Sequence, residues 1–237
     1  MPNRTFTDDR PLIIALDVET PEQALSLVDR ISPAANFYKV GMELYAAAGP
    51  EIVRQVLGRG VRVFLDLKLY DIGETVKRAT RQIAKLGVHF LTVHGSRSIM
   101  RAAVEGRSES ETQLLAVTVL TSLDRDDLAD LGYAASPAEL VALRVQKAVE
   151  SGMDGIVCSP LEVAQVRRTG GPKLKLVIPG VRSPGAATGG QKRVATPAEA
   201  MAAGADYLVI GRQVTRAPDP KAACEQILKE IHEVKTA

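Results

Sequence analysis

Residues 64–76 read FLDLKLYDIGETV. The run opens as a buried β-strand, with Phe64, Leu65, Leu67 and Leu69, and a helical pattern follows over 74–86. Asp66 and Lys68 interrupt it where a buried strand should carry more Val and Leu. Side chains alternate across a strand, so Asp66 and Lys68 share one face and Leu65, Leu67 and Leu69 occupy the other. Burying an uncompensated charge is costly, so a strand with one charged face must direct it toward partners, toward water or toward a ligand.

This strand-then-helix unit recurs along the chain. Short β-branched runs at 12–17, 37–40, 61–67, 88–94, 113–120, 154–159, 173–178 and 206–211 alternate with amphipathic stretches at 21–31, 43–58, 74–86, 97–105, 136–151, 160–169, 197–203 and 219–235. Thr20-Pro21-Glu22, Ser136-Pro137-Ala138-Glu139 and Thr196-Pro197-Ala198-Glu199 each supply an N-cap, a proline at the first helical position and an early acid suited to the helix dipole. Gly60, Gly87, Gly152 and Gly204 follow helices just before the next strand. Eight βα rounds in 237 residues, with no low-complexity linker, predict an α/β chain folded as a single (β/α)8 TIM barrel over 1–237. A doubly wound dinucleotide fold wants a glycine-rich turn after the first strand; the chain has LDVETPE at 16–22, without a glycine.

Composition narrows the function classes. With 46% hydrophobic and 24% charged residues and a net charge of +2 from 30 basic and 28 acidic side chains, no basic face for nucleic acid or anionic membrane is expected. No apolar run approaches the ~18 residues that span a bilayer, and the start MPNRTFTDDR lacks the apolar core of a signal peptide, so a cytoplasmic protein is expected. Cys158 and Cys224 have neither disulfide-framework nor zinc spacing, and His89, His94 and His232 form no helical ligand pair, so no metal is expected. Of these histidines only His94 ends a strand.

Active sites of such barrels lie at the C-terminal ends of the strands. Those ends are polar here: Asp17 on the first, Lys39 near the end of the second, Asp66 and Lys68 on the third, His94 on the fourth, and Thr121-Ser122 after the fifth. Asp71 follows in the loop beyond Lys68, and Lys39, Asp66, Lys68 and Asp71 are expected to form a network of alternating charge. Four hydrophobes would stabilise the barrel mouth better than four charges, which favours function. After the seventh strand comes the glycine-rich PGVRSPGAATGGQKRVATP (179–197) and after the eighth IGRQVT (210–215). A phosphate site built from these two loops recurs in the fold, with Arg182 and Arg212 as its charges and the backbone N–H groups around Gly211 as its cradle.

YKVGMELY (38–45), FLDLKLYDIGETV (64–76), TVLTS (118–122), PGVR (179–182), QKRVATP (191–197) and IGR (210–212) together resemble, in order and over nearly the whole chain, the orotidine 5′-monophosphate decarboxylases. The resemblance implies conversion of orotidine 5′-monophosphate to UMP and carbon dioxide, the last step of de novo pyrimidine synthesis, with no metal or organic cofactor. It implies Lys68 as proton donor and electrostatic stabiliser, with Asp66 and Asp71 near the departing carboxylate. Lys39 would bridge an aspartate and the ribose hydroxyls, Asp17 would accept from the ribose, and Thr121 and Ser122 would serve the ribose and the pyrimidine edge. Gln191 would span base and phosphate, while Pro179, Arg182, Gly211 and Arg212 complete the substrate-binding set and 179–193 forms a lid. Asp71, Ile72 and Thr75 would reach into a partner's site, implying a homodimer.

The chain departs from the family's commonest pattern at Gly73-Glu74, where Pro-Asn is usual, at Gly190 before Gln191, where Asp is common, and at Ser183 between Arg182 and Pro184. None of these removes a proposed catalytic residue. The nearest rivals by resemblance, metal-dependent sugar-phosphate decarboxylases and hexulose-phosphate synthases, share the Asp-x-Lys-x-x-Asp strand but place Glu at the position of Lys39. An ammonium there repels the Mg²⁺ that a carboxylate would help to hold. A non-catalytic phosphate-ligand sensor, the other rival, would not need all four charges.

Overall fold

The computed structural model describes residues 11–184 and 195–235. Eight parallel strands close on themselves in sequence order: β1 (Leu12–Ala15), β2 (Phe37–Gly41), β3 (Arg62–Leu69), β4 (Phe90–His94), β5 (Gln113–Val117), β6 (Gly155–Val157), β7 (Lys175–Ile178) and β8 (Tyr207–Ile210). Around them run α1 (Pro21–Ile31), α2 (Met42–Gly58), α3 (Gly73–Ala84), α4 (Arg97–Arg107), α5 (Arg125–Asp130), α6 (Pro137–Glu150), α7 (Val163–Gly170), α8 (Pro197–Ala202), α9 (Arg212–Thr215) and α10 (Pro220–Lys235). The expected (β/α)8 barrel is therefore the fold.

Its local signals act as anticipated. Thr20 accepts from the Gln23 N–H, and Ser136 and Thr196 each form a reciprocal capping box with the glutamate three residues on. Gly60, Gly87, Gly152 and Gly204 all take positive φ, the conformation that ends a helix at least cost in a residue without Cβ. The stretch 43–58 is bent, because Gly49 (φ 62°) precedes Pro50, which cannot donate to the helical ladder. The stretch 160–169 divides into a 3₁₀ turn over Pro160–Glu162 and α7. α5, capped by Asp124, and the one-turn α9 were not among the expected helices; each is too short to carry a readable period.

Two apolar layers hold the barrel. Leu12, Ile14, Val40, Val63, Leu65, Leu91 and Leu114 face outward into the helices, which return Val28, Ile52, Val76, Ile83 and Val145. Ile13, Ala15, Phe37, Phe64, Phe90, Leu115, Val177, Tyr207 and Val209 fill the interior. Phe37, Phe90 and Tyr207 meet tilted or edge-on at centroid distances of 5.2, 5.3 and 5.8 Å, geometry that adds about 0.5–1.5 kcal/mol per pair beyond burial. Above this dry floor the inward positions turn polar: Phe37 gives way to Lys39, Phe64 to Asp66 and Lys68, and Phe90 to Thr92 and His94.

Candidate active site

Lys39 pairs in register with Phe64, one inward position below Asp66, and its long side chain carries the ammonium up to the acids. Lys39 Nζ lies 2.8 Å from Asp17 Oδ1 and 3.8 Å from Asp66 Oδ2, and Lys68 Nζ lies 2.9 Å from that same Asp66 oxygen. The result is a line of alternating charge, Asp17–Lys39–Asp66–Lys68. The inner two side chains are 11% and 13% exposed, so truncating either would strand a buried charge at a cost of about 3–5 kcal/mol. Lys68, at the open end, is 30% exposed and is the more accessible of the two ammonium groups.

The fourth member differs from expectation. Asp17 takes the place in the line that was foreseen for Asp71. Asp71 is exposed, its Oδ1 accepts from the Ile72 N–H, and among the described residues it makes no ion pair with Lys39 or Lys68. The cause is geometric: the strand turns outward after Leu69, so Tyr70, Asp71, Ile72 and Thr75 all lie on the outside.

β3 is also irregular just where the charges sit. It pairs Leu65 with Leu91 and Leu69 with Val93, so four steps along β3 match two along β4. Two extra residues are accommodated, and Lys68 takes φ 50°, a left-handed conformation that costs a non-glycine residue roughly 1–2 kcal/mol. This bulge aims Lys68 into the mouth.

A cavity of about 460 Å³ joins the charged line to the loops after β7 and β8. Asp17, Lys39, Asp66, Lys68 and Thr121 line one side; Pro179, Arg182, Gly211 and Arg212 line the other. Burial and, secondarily, the neighbouring Arg212 lower the pKa of the Arg182 guanidinium, the condition an anion between them would relieve. Ser122 is exposed and lines neither cavity beside Lys68, and Gln191, with the part of the expected lid over 185–193, lies outside the described residues. Gly73 opens α3 without steric demand, and Glu74 pairs with Arg78 at 2.7 Å. A second cavity of about 380 Å³ opens on the other flank of Lys68 between Tyr70, His94, Leu131 and Tyr133. The His94 ring lies 4.3 Å from that of Tyr70, and burial, helped by Arg144, lowers the His94 pKa, favouring the uncharged ring.

Three contributors were not foreseen. Arg216 brings a further guanidinium to the end lined by Arg182 and Arg212. A Cβ on Gly41 would lie 3.0 Å from Lys39 Nζ and 3.2 Å from Asp17 Oδ1, so the bare backbone there makes room for the ion pair. Thr92 Oγ1 donates to Asp66 Oδ1 at 2.8 Å and accepts from the Lys68 N–H at 2.9 Å. A threonine within a β-branched strand and a glycine before a helix have ordinary structural explanations; only pairing with neighbouring strands exposes these roles.

Residues 10–227 match the family model described as Orotidine 5'-phosphate decarboxylase / HUMPS family. The chain is 51% identical over 220 residues to an orotidine 5'-phosphate decarboxylase of Rhodopseudomonas palustris (strain ATCC BAA-98 / CGA009), covering 93% of each chain. It is 50% identical over 234 residues to one from Methylobacterium nodulans, covering 98% of this chain and 99% of that one. The crystal structure of orotidine 5'-phosphate decarboxylase from Lactobacillus acidophilus superposes with a TM-score of 0.83 at 38% identity, over 94% of this chain and 99% of that one.

Proposed function

Because the chain belongs to the orotidine 5′-phosphate decarboxylase / HUMPS family, we propose that it decarboxylates orotidine 5′-monophosphate to UMP and carbon dioxide, the last step of de novo pyrimidine biosynthesis. One observation carries the choice within the family: the ammonium of Lys39 stands between Asp17 and Asp66, where the metal-dependent branch would need an anion. Metal and organic cofactors are not required in this reading.

The chemistry follows from charge. The bond from the ring to the carboxylate breaks, its electron pair stays on the ring carbon, and Lys68 transfers a proton to that carbon as carbon dioxide leaves. Asp66 holds Lys68 in place and repels the carboxylate of the ground state, a repulsion that fades as the negative charge moves to the ring near the ammonium. Asp17 and Lys39 take the ribose hydroxyls, Thr121 and Ser122 serve the ribose and base edge, and Gln191 spans base and phosphate. Pro179, Arg182, Gly211 and Arg212, now with Arg216, form the phosphate end. Contacts there are remote from the reacting carbon and supply binding energy for alignment.

The enzyme works as a cytoplasmic homodimer in this reading, with Asp71, Ile72 and Thr75 entering the partner's site. The exposed ridge supports it: Tyr70 and Ile72 are 69% and 72% exposed, and an apolar cavity adjoins Lys68. Among the described residues no helix is long and apolar enough to cross a membrane.

Two measurements test this. Ultraviolet absorbance falls when orotidine 5′-monophosphate is added to dialysed protein in EDTA; activity that returns only with Mg²⁺ would assign the chain to the metal-dependent branch. Gly41→Ala, which pushes the Lys39 ammonium by a few tenths of an ångström, lowers kcat/KM about 10-fold while the protein stays folded. Unchanged kinetics in that variant would show that the Lys39–Asp17 geometry is not critical.

A further inference from the structure

We propose that Thr92 is a positioning residue for the reaction: its single hydroxyl holds both the Asp66 carboxylate and the bulged backbone of Lys68, and so sets the direction of the Lys68 ammonium. The inference rests on the decarboxylase reading for its kinetic consequence, while the geometry behind it is independent of that reading.

Thr92 is fully buried on the inner face of β4. β4 pairs Leu91 with Leu65 and Val93 with Leu69, which leaves Thr92 alone opposite Asp66, Leu67 and Lys68. The regular ladder is therefore interrupted across these residues, and the threonine side chain stands in for it. The Lys68 N–H donates to Thr92 Oγ1 at 2.9 Å, and Thr92 Oγ1 donates to Asp66 Oδ1 at 2.8 Å. A hydroxyl can do both at once because it has one proton and two lone pairs; valine, its nearest shape match, can do neither.

The two bonds close a small circuit. Asp66 uses Oδ1 for Thr92 and Oδ2 for Lys68 Nζ at 2.9 Å, while the backbone of that same Lys68 rests on Thr92. Fixing one oxygen by the hydroxyl fixes the carboxylate plane, and with it where the other oxygen holds the ammonium. The left-handed φ of 50° at Lys68 persists only if its surroundings over-determine it, and the Thr92 hydrogen bond is one such restraint. Thr92 lines neither of the cavities that flank Lys68, so its influence on substrate passes through Asp66 and Lys68.

The test compares Thr92→Val with Thr92→Ser, which keeps the hydroxyl and loses the methyl. Thr92→Val should lower kcat between about 10- and 100-fold with KM changed less than about 3-fold, the pattern of a misdirected reacting group. Thr92→Ser should recover kcat to within about 3-fold of wild type. A role confined to packing predicts the opposite order, since valine keeps the volume and serine does not. Should Thr92→Val not fold, Thr92→Ala provides the hydroxyl-free comparison with serine. A readout without substrate accompanies these: amide exchange at Lys68 should quicken at least about 10-fold in Thr92→Val relative to the neighbouring β3 amides and stay slow in Thr92→Ser. Wild-type protein inactive on orotidine 5′-monophosphate would remove the functional reading and leave the exchange experiment to decide the geometry. Active wild type with kcat in Thr92→Val within about 2-fold of it would overturn the positioning role itself.

Discussion

Replacing Lys68 by alanine lowers turnover about 10⁴-fold or more, the product of about 10² for a lost proton donor and about 10² for lost charge stabilisation. That is about 5.5 kcal/mol of barrier. Affinity for UMP survives, because the proposed phosphate end rests on other elements, Arg182 after β7 and Arg212 after β8. The fold survives as well: Asp66 keeps the Thr92 hydroxyl at 2.8 Å and the Lys39 ammonium at 3.8 Å. Arg212→Ala reverses the pattern. Loss of a charge-assisted contact to phosphate, worth about 1.5–3 kcal/mol, raises KM about 10- to 100-fold, with a smaller fall in kcat where phosphate binding helps to align the substrate. Steady-state kinetics, UMP calorimetry and circular dichroism of both variants decide the matter. Equal losses of turnover and affinity in both, with intact folds, would end this division between a reacting and a binding end.

Mixing two inactive variants restores activity if the site is shared between subunits. Asp71 lies outside the charged line of its own chain, exposed and bonded only to the adjacent backbone among the described contacts, which is the placement a residue serving a partner would have. Consider Lys68→Ala and Asp71→Asn proteins, each nearly inactive. In a mixed dimer the Asp71→Asn subunit keeps its own Lys68 and receives an intact Asp71 from its partner, so that site is whole; the other lacks both groups. Random redistribution of equal amounts makes about half the dimers mixed, each with one whole site of two, so activity returns to about a quarter of wild type. The proteins are denatured and refolded together, and labelled subunits report exchange. Confirmed exchange with activity still at the level of either variant alone would place Asp71 in its own subunit's chemistry.

Much of this protein is legible in one dimension because its governing signals are local. Period-two and period-3.6 patterns, a Thr-Pro-Ala-Glu at 196–199 that caps its helix as read, and a glycine at each of four helix ends act within a few residues. Repeated eight times, they leave the closed barrel as the arrangement that buries every strand, and the barrel in turn brings Asp17, Lys39, Asp66 and Lys68 to one rim. The tertiary structure decided what depends on pairing between distant strands. That Asp17 rather than Asp71 completes the line of charge follows from how far β3 runs before it turns outward. The bulge that aims Lys68 comes from matching four steps of β3 to two of β4, a mismatch between two segments that neither contains alone. Thr92 and Gly41 matter for the same reason: one places a hydroxyl 2.8 Å from Asp66 on the neighbouring strand, and the other leaves out a Cβ that would lie 3.2 Å from the Asp17 carboxylate beyond β1. Such contacts are set by register and packing, and residue type by itself does not encode them.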